Sequence, residues 1–318
     1  MAPITSSAAI EQTLAELAWS LWTELGVSGV FRHHSDWNVD LEPLIILTAA
    51  LADVDPRLRD ESTDWCIRYA RLVAAARLKT LLSLGDSETR SAFGEYSATV
   101  RAHVRVNWPG GDRPRPYEPT GRSRLDSLGR AALFGLRQRA LFGTGARAEI
   151  IRVLASNPDR AFSAAELADD AAFTKRAVEH EIESLRLAGL VTWTALHGRR
   201  QFKVARRDEL LAFVGSRPSW TPRWAPLIRV LLGGYRLLAR VDSMPPVVRD
   251  VEARKYLRAM RANIEQADLT TPPASNVGIL LWDEVVDWLQ RVTLALARGN
   301  PDIFGESRLT SVSSSARA

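Results

Sequence analysis

Residues 142–207 decide the fold of this chain: FGTGARAEIIRVLASNPDRAFSAAELADDAAFTKRAVEHEIESLRLAGLVTWTALHGRRQFKVARR. The stretch opens with three short helical patterns. In the first, apolar residues recur at the spacing that keeps one helical face apolar: Ile150, Val153 and Leu154. Ser163 and Glu166 form a capping box, in which each side chain satisfies a backbone N–H at the helix end. The second helix is therefore predicted to begin near Ala164 and to end around Asp170.

The third helical pattern leads directly into a hairpin. Thr174 is a residue type that caps helix N-termini. The apolar stripe that follows it is predicted to face inward: Val178, Ile182, Leu185 and Ala188. Gly189 stands where a left-handed C-terminal cap is expected. Beyond it, apolar and polar residues alternate on both sides of a turn at His197-Gly198-Arg199-Arg200, which predicts two antiparallel strands.

This order of elements is that of a winged helix-turn-helix, whose third helix enters the DNA major groove. The string from Glu183 to Val191 (ESLRLAGLV) resembles the junction of last helix and wing in the ArsR and MarR families of bacterial regulators. Thr174 to Leu185 is similar to their recognition helix. The resemblance implies a mainly α fold, with helical domains flanking a winged helix-turn-helix whose wing is a small antiparallel β-hairpin. It also implies a transcriptional regulator, with repression as the expected sign, that binds double-stranded DNA.

The outward face of the third helix supplies the first candidate DNA contacts: Lys175, Arg176, Glu179, His180 and Glu183. Lys175 and Arg176 lie in the first turn, where the helix dipole adds partial positive charge. We expect Arg176 to contact a guanine and Glu179 to accept a hydrogen bond from a cytosine amino group. His180 would serve a base or a phosphate.

The wing supplies the second set, which would reach an adjacent minor groove or its phosphates: Arg199, Arg200 and Lys203. Ser163 and Thr174 are further candidate phosphate donors, although capping already explains both. Acidic side chains on or beside the same helix oppose this hypothesis: Glu179, Glu181 and Glu183. Since they repel phosphates, the alternative is a protein-interaction adaptor or antitoxin-like component whose winged helix docks a protein partner.

Composition is that of an ordinary globular protein. The chain has 318 residues, of which 46% are hydrophobic and 25% charged, with a formal net charge of +5. That surplus favours an acidic partner without identifying one. Cys66 is the single cysteine, so an internal disulfide is excluded. No apolar run is long enough to span a bilayer and no secretory start is present, so we expect a cytoplasmic protein with no membrane partner.

Outside the central stretch the sequence points to no enzyme and no cofactor. It contains no nucleophile elbow, phosphate loop or paired carboxylates at a characteristic spacing. His33, His34 and Asp36 invite a metal site, but neighbours in one loop rarely converge on one ion, and we expect none. A homodimer and a small-molecule or protein effector are the further partners considered. The broad apolar stripe from Trp224 to Leu238 is either the dimer surface or internal core.

The chain divides into five predicted regions: an N-terminal helical domain (1–106), a linker rich in Pro, Gly and Arg (107–124), the winged helix-turn-helix domain (125–215), a C-terminal helical region (216–305) and a disordered tail (306–318). Helices are predicted at 8–25, 42–51, 64–84, 87–104, 125–142, 208–214, 224–241, 247–266 and 276–297. The linker arginines could extend the phosphate-binding surface as a basic arm: Arg113, Arg115 and Arg122. The C-terminal helices either form their own bundle or complete the N-terminal domain.

Overall fold

The structure, a computed structural model, describes residues 7–29, 32–196, 198–270 and 281–305. Over these residues the chain is mainly helical, with one two-stranded antiparallel sheet. His197 in the predicted turn, the start of the predicted helix at 276–297 and the tail after residue 305 lie outside them. The part of the chain described contains no helix long and apolar enough to cross a membrane.

The N-terminal helices are α1 (Ser7–Glu24), α2 (Leu41–Ala50), α3 (Pro56–Arg68), α4 (Ala75–Ser83) and α5 (Ser87–His103). The single helix predicted over 64–84 is wrong. α3 begins earlier because the carboxylate of Asp55 accepts a hydrogen bond from the Leu58 N–H at 2.9 Å, and Pro56 suits the first helical turn. A 3-10 turn (Ala70–Leu72) then separates α3 from α4. A residue distant in the sequence stabilises the interruption between the two helices, because the Ala74 N–H donates to the carboxylate of Glu42.

The C-terminal helices are α11 (Trp224–Val241), α12 (Pro246–Gln266) and α13 (Leu281–Ala297). α13 packs on α1, and α11 packs on α1, α2 and α12, so these helices complete the core of the N-terminal ones. We call α1–α5 and α11–α13 together the helical domain. The apolar stripe of α11 is buried in that core: Leu227, Ile228, Leu231, Leu232 and Leu238. It is therefore core, and the hypothesis that it forms a dimer surface is wrong because neighbouring helices already cover it.

The central segment forms a separate unit, which we call the central module: α6 (Phe134–Phe142), α7 (Ala146–Ser156), α8 (Ala164–Ala171), α9 (Lys175–Leu187), β1 (Val191–Leu196), β2 (Arg199–Val204) and α10 (Arg207–Val214). It has a hydrophobic core of its own. The strands pair from Val191 opposite Val204 to Leu196 opposite Arg199. Phe162, just before α8, exchanges both backbone hydrogen bonds with Phe202 and so fastens the hairpin to the helices.

The chain between α5 and α6 lies along the N-terminal helices. Trp108 stacks on Phe93, and Arg115 forms an ion pair with Asp60 at 2.5 Å. Of the helix predicted over 125–142, only residues from 134 onward are α-helical, directly after a 3-10 turn (Ala131–Leu133), and residues 125–130 are not helical. Before that point the chain is tied to loops of the N-terminal domain, because the Leu125 N–H donates to the Tyr69 hydroxyl at 2.8 Å. Tertiary hydrogen bonds here replace the helical ones.

A buried cluster of charges joins the two cores. It consists of three arginines and three carboxylates: Arg77, Arg139, Arg152, Asp40, Glu42 and Glu149. Arg139 of α6 contacts the carboxylate of Glu42 at 2.6 Å and that of Glu149 at 2.7 Å. Arg77 of α4 contacts Asp40 and Glu42 at 2.5 Å each. Charges from both units are thus paired in one network, which fixes the central module against the helical domain.

Backbone carbonyls complete this buried charge cluster. The Arg77 Nε–H donates to the Ala171 carbonyl at the end of α8 at 2.8 Å, and Arg152 donates to the Asp170 carbonyl at 2.9 Å. Burial alone would raise the pKa of Glu149, but the charges of Arg77 and Arg139 hold that pKa well below its ordinary value. The carboxylate therefore stays ionised inside the protein.

We expect Glu149→Gln to lower the free energy of unfolding by about 3–5 kcal/mol, because the substitution leaves buried guanidinium groups without their carboxylate. Urea denaturation measures the change. Glu252→Gln is the matched control, since Glu252 of α12 pairs at the surface with Lys255 of α12 and with Arg240 in the last turn of α11. A Glu149→Gln variant as stable as Glu252→Gln would contradict the importance given to the cluster.

Candidate nucleic-acid interface

Helix α9 is fixed at both ends and along one face. The Thr174 hydroxyl accepts from the Ala177 N–H at 3.3 Å, as the sequence predicted. The buried side chains of α9 are Val178, Ile182 and Leu185, which belong to the core of the central module. Ala188 was predicted to face inward as well; it is exposed, because it is the C-cap residue that follows the last turn. Gly189 adopts a φ of +73°, so the left-handed cap is confirmed.

The opposite face of α9 is open to solvent. Its exposed side chains are those predicted to face outward: Lys175, Arg176, Glu179, His180 and Glu183. Lys175 lies 3.6 Å from Glu179 one turn away, and Arg186 forms a 2.6 Å ion pair with Glu183. Arg176 forms no ion pair with any residue in the ranges described. Its charge is therefore available at the first turn of the helix.

The hairpin adds exposed cations next to this face. The basic side chains of β2 are exposed: Arg199, Arg200 and Lys203. The guanidinium of Arg200 lies over the Trp193 ring, 4.9 Å from its centroid. Hydrogen bonding from Arg186 lowers the pKa of Glu183, and the charge of Arg200 lowers it further. Arg200 of the hairpin therefore acts electrostatically on Glu183 of α9.

Local pairing offsets the acids on and beside α9. Glu183 is matched by Arg186, and half-buried Glu181 accepts from Arg147 of α7 at 2.8 Å. Glu179 lies 3.6 Å from the ammonium group of Lys175. Around the exposed face of α9 and β2 the cations consequently outnumber the unmatched carboxylates. This balance could not be obtained from the sequence, since the pairing of Arg147 with Glu181 depends on how α7 packs on α9.

The hydroxyl of Ser163, a predicted phosphate donor, is used in the cap of α8. Its hydroxyl accepts from the Glu166 N–H at 3.2 Å and lies 2.8 Å from the Glu166 carboxylate, so the capping box is complete. Glu166 in turn accepts from Arg160. The hydroxyl is thus committed to the cap, and it is the weakest of the predicted phosphate donors.

The sequence interpretation missed three exposed apolar side chains on α9 and β1. The exposed fractions are 74% for Leu187 at the end of α9, 41% for Trp193 and 55% for Leu196. Alternation puts Trp193 on the face of β1 that carries the core residue Val191 and puts Leu196 on the opposite face, so the pattern did not mark Trp193 as exposed. Exposed apolar side chains therefore accompany the cations of α9 and the hairpin.

His34, one of the histidines considered as metal ligands, forms its hydrogen bonds within the protein. The Nδ1 of His34 lies 2.7 Å from the Ser20 hydroxyl, and its Nε2 lies 2.7 Å from the Leu296 carbonyl. Because a carbonyl only accepts, Nε2 carries the proton and Nδ1 accepts from Ser20. Both nitrogens are occupied within the protein. Among the residues described, no group of three potential ligands is placed to hold a metal ion.

Comparison of the chain with protein-family models, with curated proteins and with solved structures finds no match.

The pH dependence of stability should report the buried His34. Burial lowers the pKa of His34 to about 4, below the value of about 6.5 expected when the chain is unfolded. The contribution of neutral His34 to the free energy of unfolding is therefore complete above pH 6.5 and is lost as pH falls toward 4. The total loss is about 3 kcal/mol. Urea denaturation between pH 7 and 4 measures the loss, with His34→Gln as the comparison. The loss over this range should be smaller in the variant; equal losses would contradict the assignment.

Proposed function

We propose that the chain is a DNA-binding transcriptional regulator, and that the central module is a winged helix-turn-helix of the kind found in the ArsR and MarR families. In this proposal α9 is the recognition helix and the β1–β2 hairpin is the wing. The observation that supports it is the set of exposed basic side chains on α9 and β2, on a unit with its own core, with the charge of Arg200 on β2 lowering the pKa of Glu183 on α9.

The dimensions of α9 suit a groove. Its 13 residues span about 20 Å, and the major groove admits a helix of this kind. Lys175 and Arg176 stand at its N-terminus, where the helix dipole and the two cations would attract phosphate. Arg176 has the free guanidinium needed for two hydrogen bonds to a guanine. On binding DNA, the Glu179 carboxylate would leave its ion pair with Lys175 and accept a hydrogen bond from a cytosine amino group. Lys175 would then bind a phosphate.

The wing would hold the duplex beside the recognition helix. Arg199 and Lys203 project from β2 with no ion pair to the described residues, and Arg200 stacks on Trp193. Contacts of this kind fix position on the duplex and contribute affinity without reading sequence. The helical domain would then act as the signal-sensing part, since the buried charge cluster holds the central module to it in one orientation. Occupancy of an operator would repress transcription sterically.

A second candidate function is protein docking, as an adaptor or antitoxin-like component. The observation that favours it is the exposure of three apolar side chains on α9 and β1: Leu187, Trp193 and Leu196. Aromatic and apolar side chains exposed together are typical of protein interfaces. Under this hypothesis the cations would form a polar rim around the apolar contact, and binding to duplex DNA would be weak even at low salt.

Binding to DNA from the region upstream of the coding sequence tests the proposal. Fluorescence anisotropy over a salt series should show log affinity falling linearly with log salt concentration. We expect Arg176→Ala to reduce the preference for the specific site over a scrambled duplex by about 1–3 kcal/mol. The Arg199→Ala, Arg200→Ala double variant should weaken binding to both duplexes and reduce the salt slope by about 2.

The matched control is the Arg254→Ala, Arg258→Ala double variant. Both residues are exposed on α12, so this variant removes the same charge from a different part of the chain. It should bind like the wild type. Equal loss in both double variants would mean that net charge alone drives binding. Absence of duplex binding at low salt would overturn the regulator in favour of the docking hypothesis.

A further inference from the structure

A cavity of about 390 Å³ lies in the helical domain, away from the central module. It is bounded by α2, by α4 and the loop after it, and by α11 and α12. Apolar side chains form most of its wall: Ile46, Leu81, Leu84, Ile228, Leu232 and Met260. The volume lies in the range of small-molecule sites and would hold roughly a dozen non-hydrogen atoms, taking the space of one liquid water for each.

One guanidinium in this wall lacks a counter-charge. Arg229 is half-buried, and its hydrogen bond is to a neutral group, the Asn263 amide oxygen, at 3.3 Å. It forms no ion pair with a carboxylate in the ranges described, and burial lowers its pKa from the ordinary value. Other partly buried arginines with a lowered pKa donate to backbone carbonyls, as Arg217 does to Ala155 at 3.0 Å. Arg229 therefore presents an uncompensated charge to an apolar cavity.

The acidic group in the same wall is already matched. Asp86 accepts from the Thr89 N–H at the start of α5 and forms an ion pair with Arg236. Arg236 also donates to the Thr89 hydroxyl at 2.8 Å. Asp86 thus has a cation of its own and is not the counter-charge of Arg229. A negatively charged group bound in the cavity would therefore be the counter-charge of Arg229.

We propose that this cavity binds a small monocarboxylate with an apolar body. The carboxylate would take two hydrogen bonds from Arg229, a geometry that guanidinium groups favour, and a further one from the Asn263 amide N–H. The apolar body would lie against Leu81, Ile228 and Met260. Leu84, which is 62% exposed, lies at the rim and would be covered by the bound ligand.

This proposal does not depend on what the central module binds. Its test is made on the full chain without DNA, so it can succeed or fail separately from the regulator proposal. Octanoate is the probe because it combines one carboxylate with an apolar chain of suitable size. Octanamide is the neutral control of the same length.

Calorimetric titration compares the wild type with Arg229→Gln, and with Arg258→Gln as a control that removes one exposed charge of α12 outside the cavity. Octanoate should bind the wild type and Arg258→Gln alike, and Arg229→Gln at least about tenfold more weakly, as expected for the loss of charge-assisted hydrogen bonds. Octanamide should bind the wild type more weakly than octanoate does, and should not distinguish the three proteins. Equal octanoate affinity in folded Arg229→Gln would overturn the proposal.

A measurement on the wild type keeps the test independent of any variant. The chain has three methionines, so methyl-labelled methionine yields a simple spectrum. Met260 lines the cavity, whereas Met244 lies outside it. Octanoate should shift the Met260 methyl signal in a saturable manner and leave that of Met244 in place. No binding at millimolar octanoate, or a shift confined to Met244, would overturn the site.

Discussion

The pairing of Arg77 and Arg139 with the carboxylates of Glu42 and Glu149 is the contact on which the arrangement of the two units depends. Moving these groups out of water is costly, and their mutual attraction offsets that cost only when every member is in place. Burial alone would lower the pKa of Arg77, but the charges of Asp40 and Glu149 raise it. The cluster thus admits one relative placement of the central module and the helical domain.

The helix α4 connects this cluster to the rest of the helical domain. Arg77 reaches the end of α8 through the Ala171 carbonyl, and Leu81, one turn later on α4, lies in the wall of the cavity beside Arg229. α8 immediately precedes α9 in the chain. α4 therefore lines the cavity and also contacts α8, the helix that precedes the proposed recognition helix. An effector that displaced α4 would act on α8 directly, because packed interiors transmit displacement rather than absorb it.

Residue spacing was a reliable guide wherever a helix is held by its own sequence. α8 and α9 begin where the capping box of Ser163 and the hydroxyl of Thr174 predicted. The interpretation failed where long-range contacts set the boundary. The single helix predicted over 64–84 is wrong because Asp55 caps α3 earlier in the chain. Residues 125–130 of the helix predicted over 125–142 are not helical, and the Leu125 N–H is bonded to the Tyr69 hydroxyl. The apolar stripe of α11 was equally consistent with a dimer surface and with core, since periodicity does not say what covers a face.

The sequence by itself determined α8, α9, the hairpin and the exposed position of Arg176, because caps and residue periodicity act over a few residues. Only the tertiary structure decided the use of the buried charges. Arg139 meets Glu42, which lies 97 positions away in the chain, and nothing within a turn of either residue signals the contact. A charged residue on a helix is ordinarily solvated. Burial of such a residue depends on the surface that the rest of the chain brings to it, and the same reason hid the uncompensated charge of Arg229 until α2, α4, α11 and α12 were seen together.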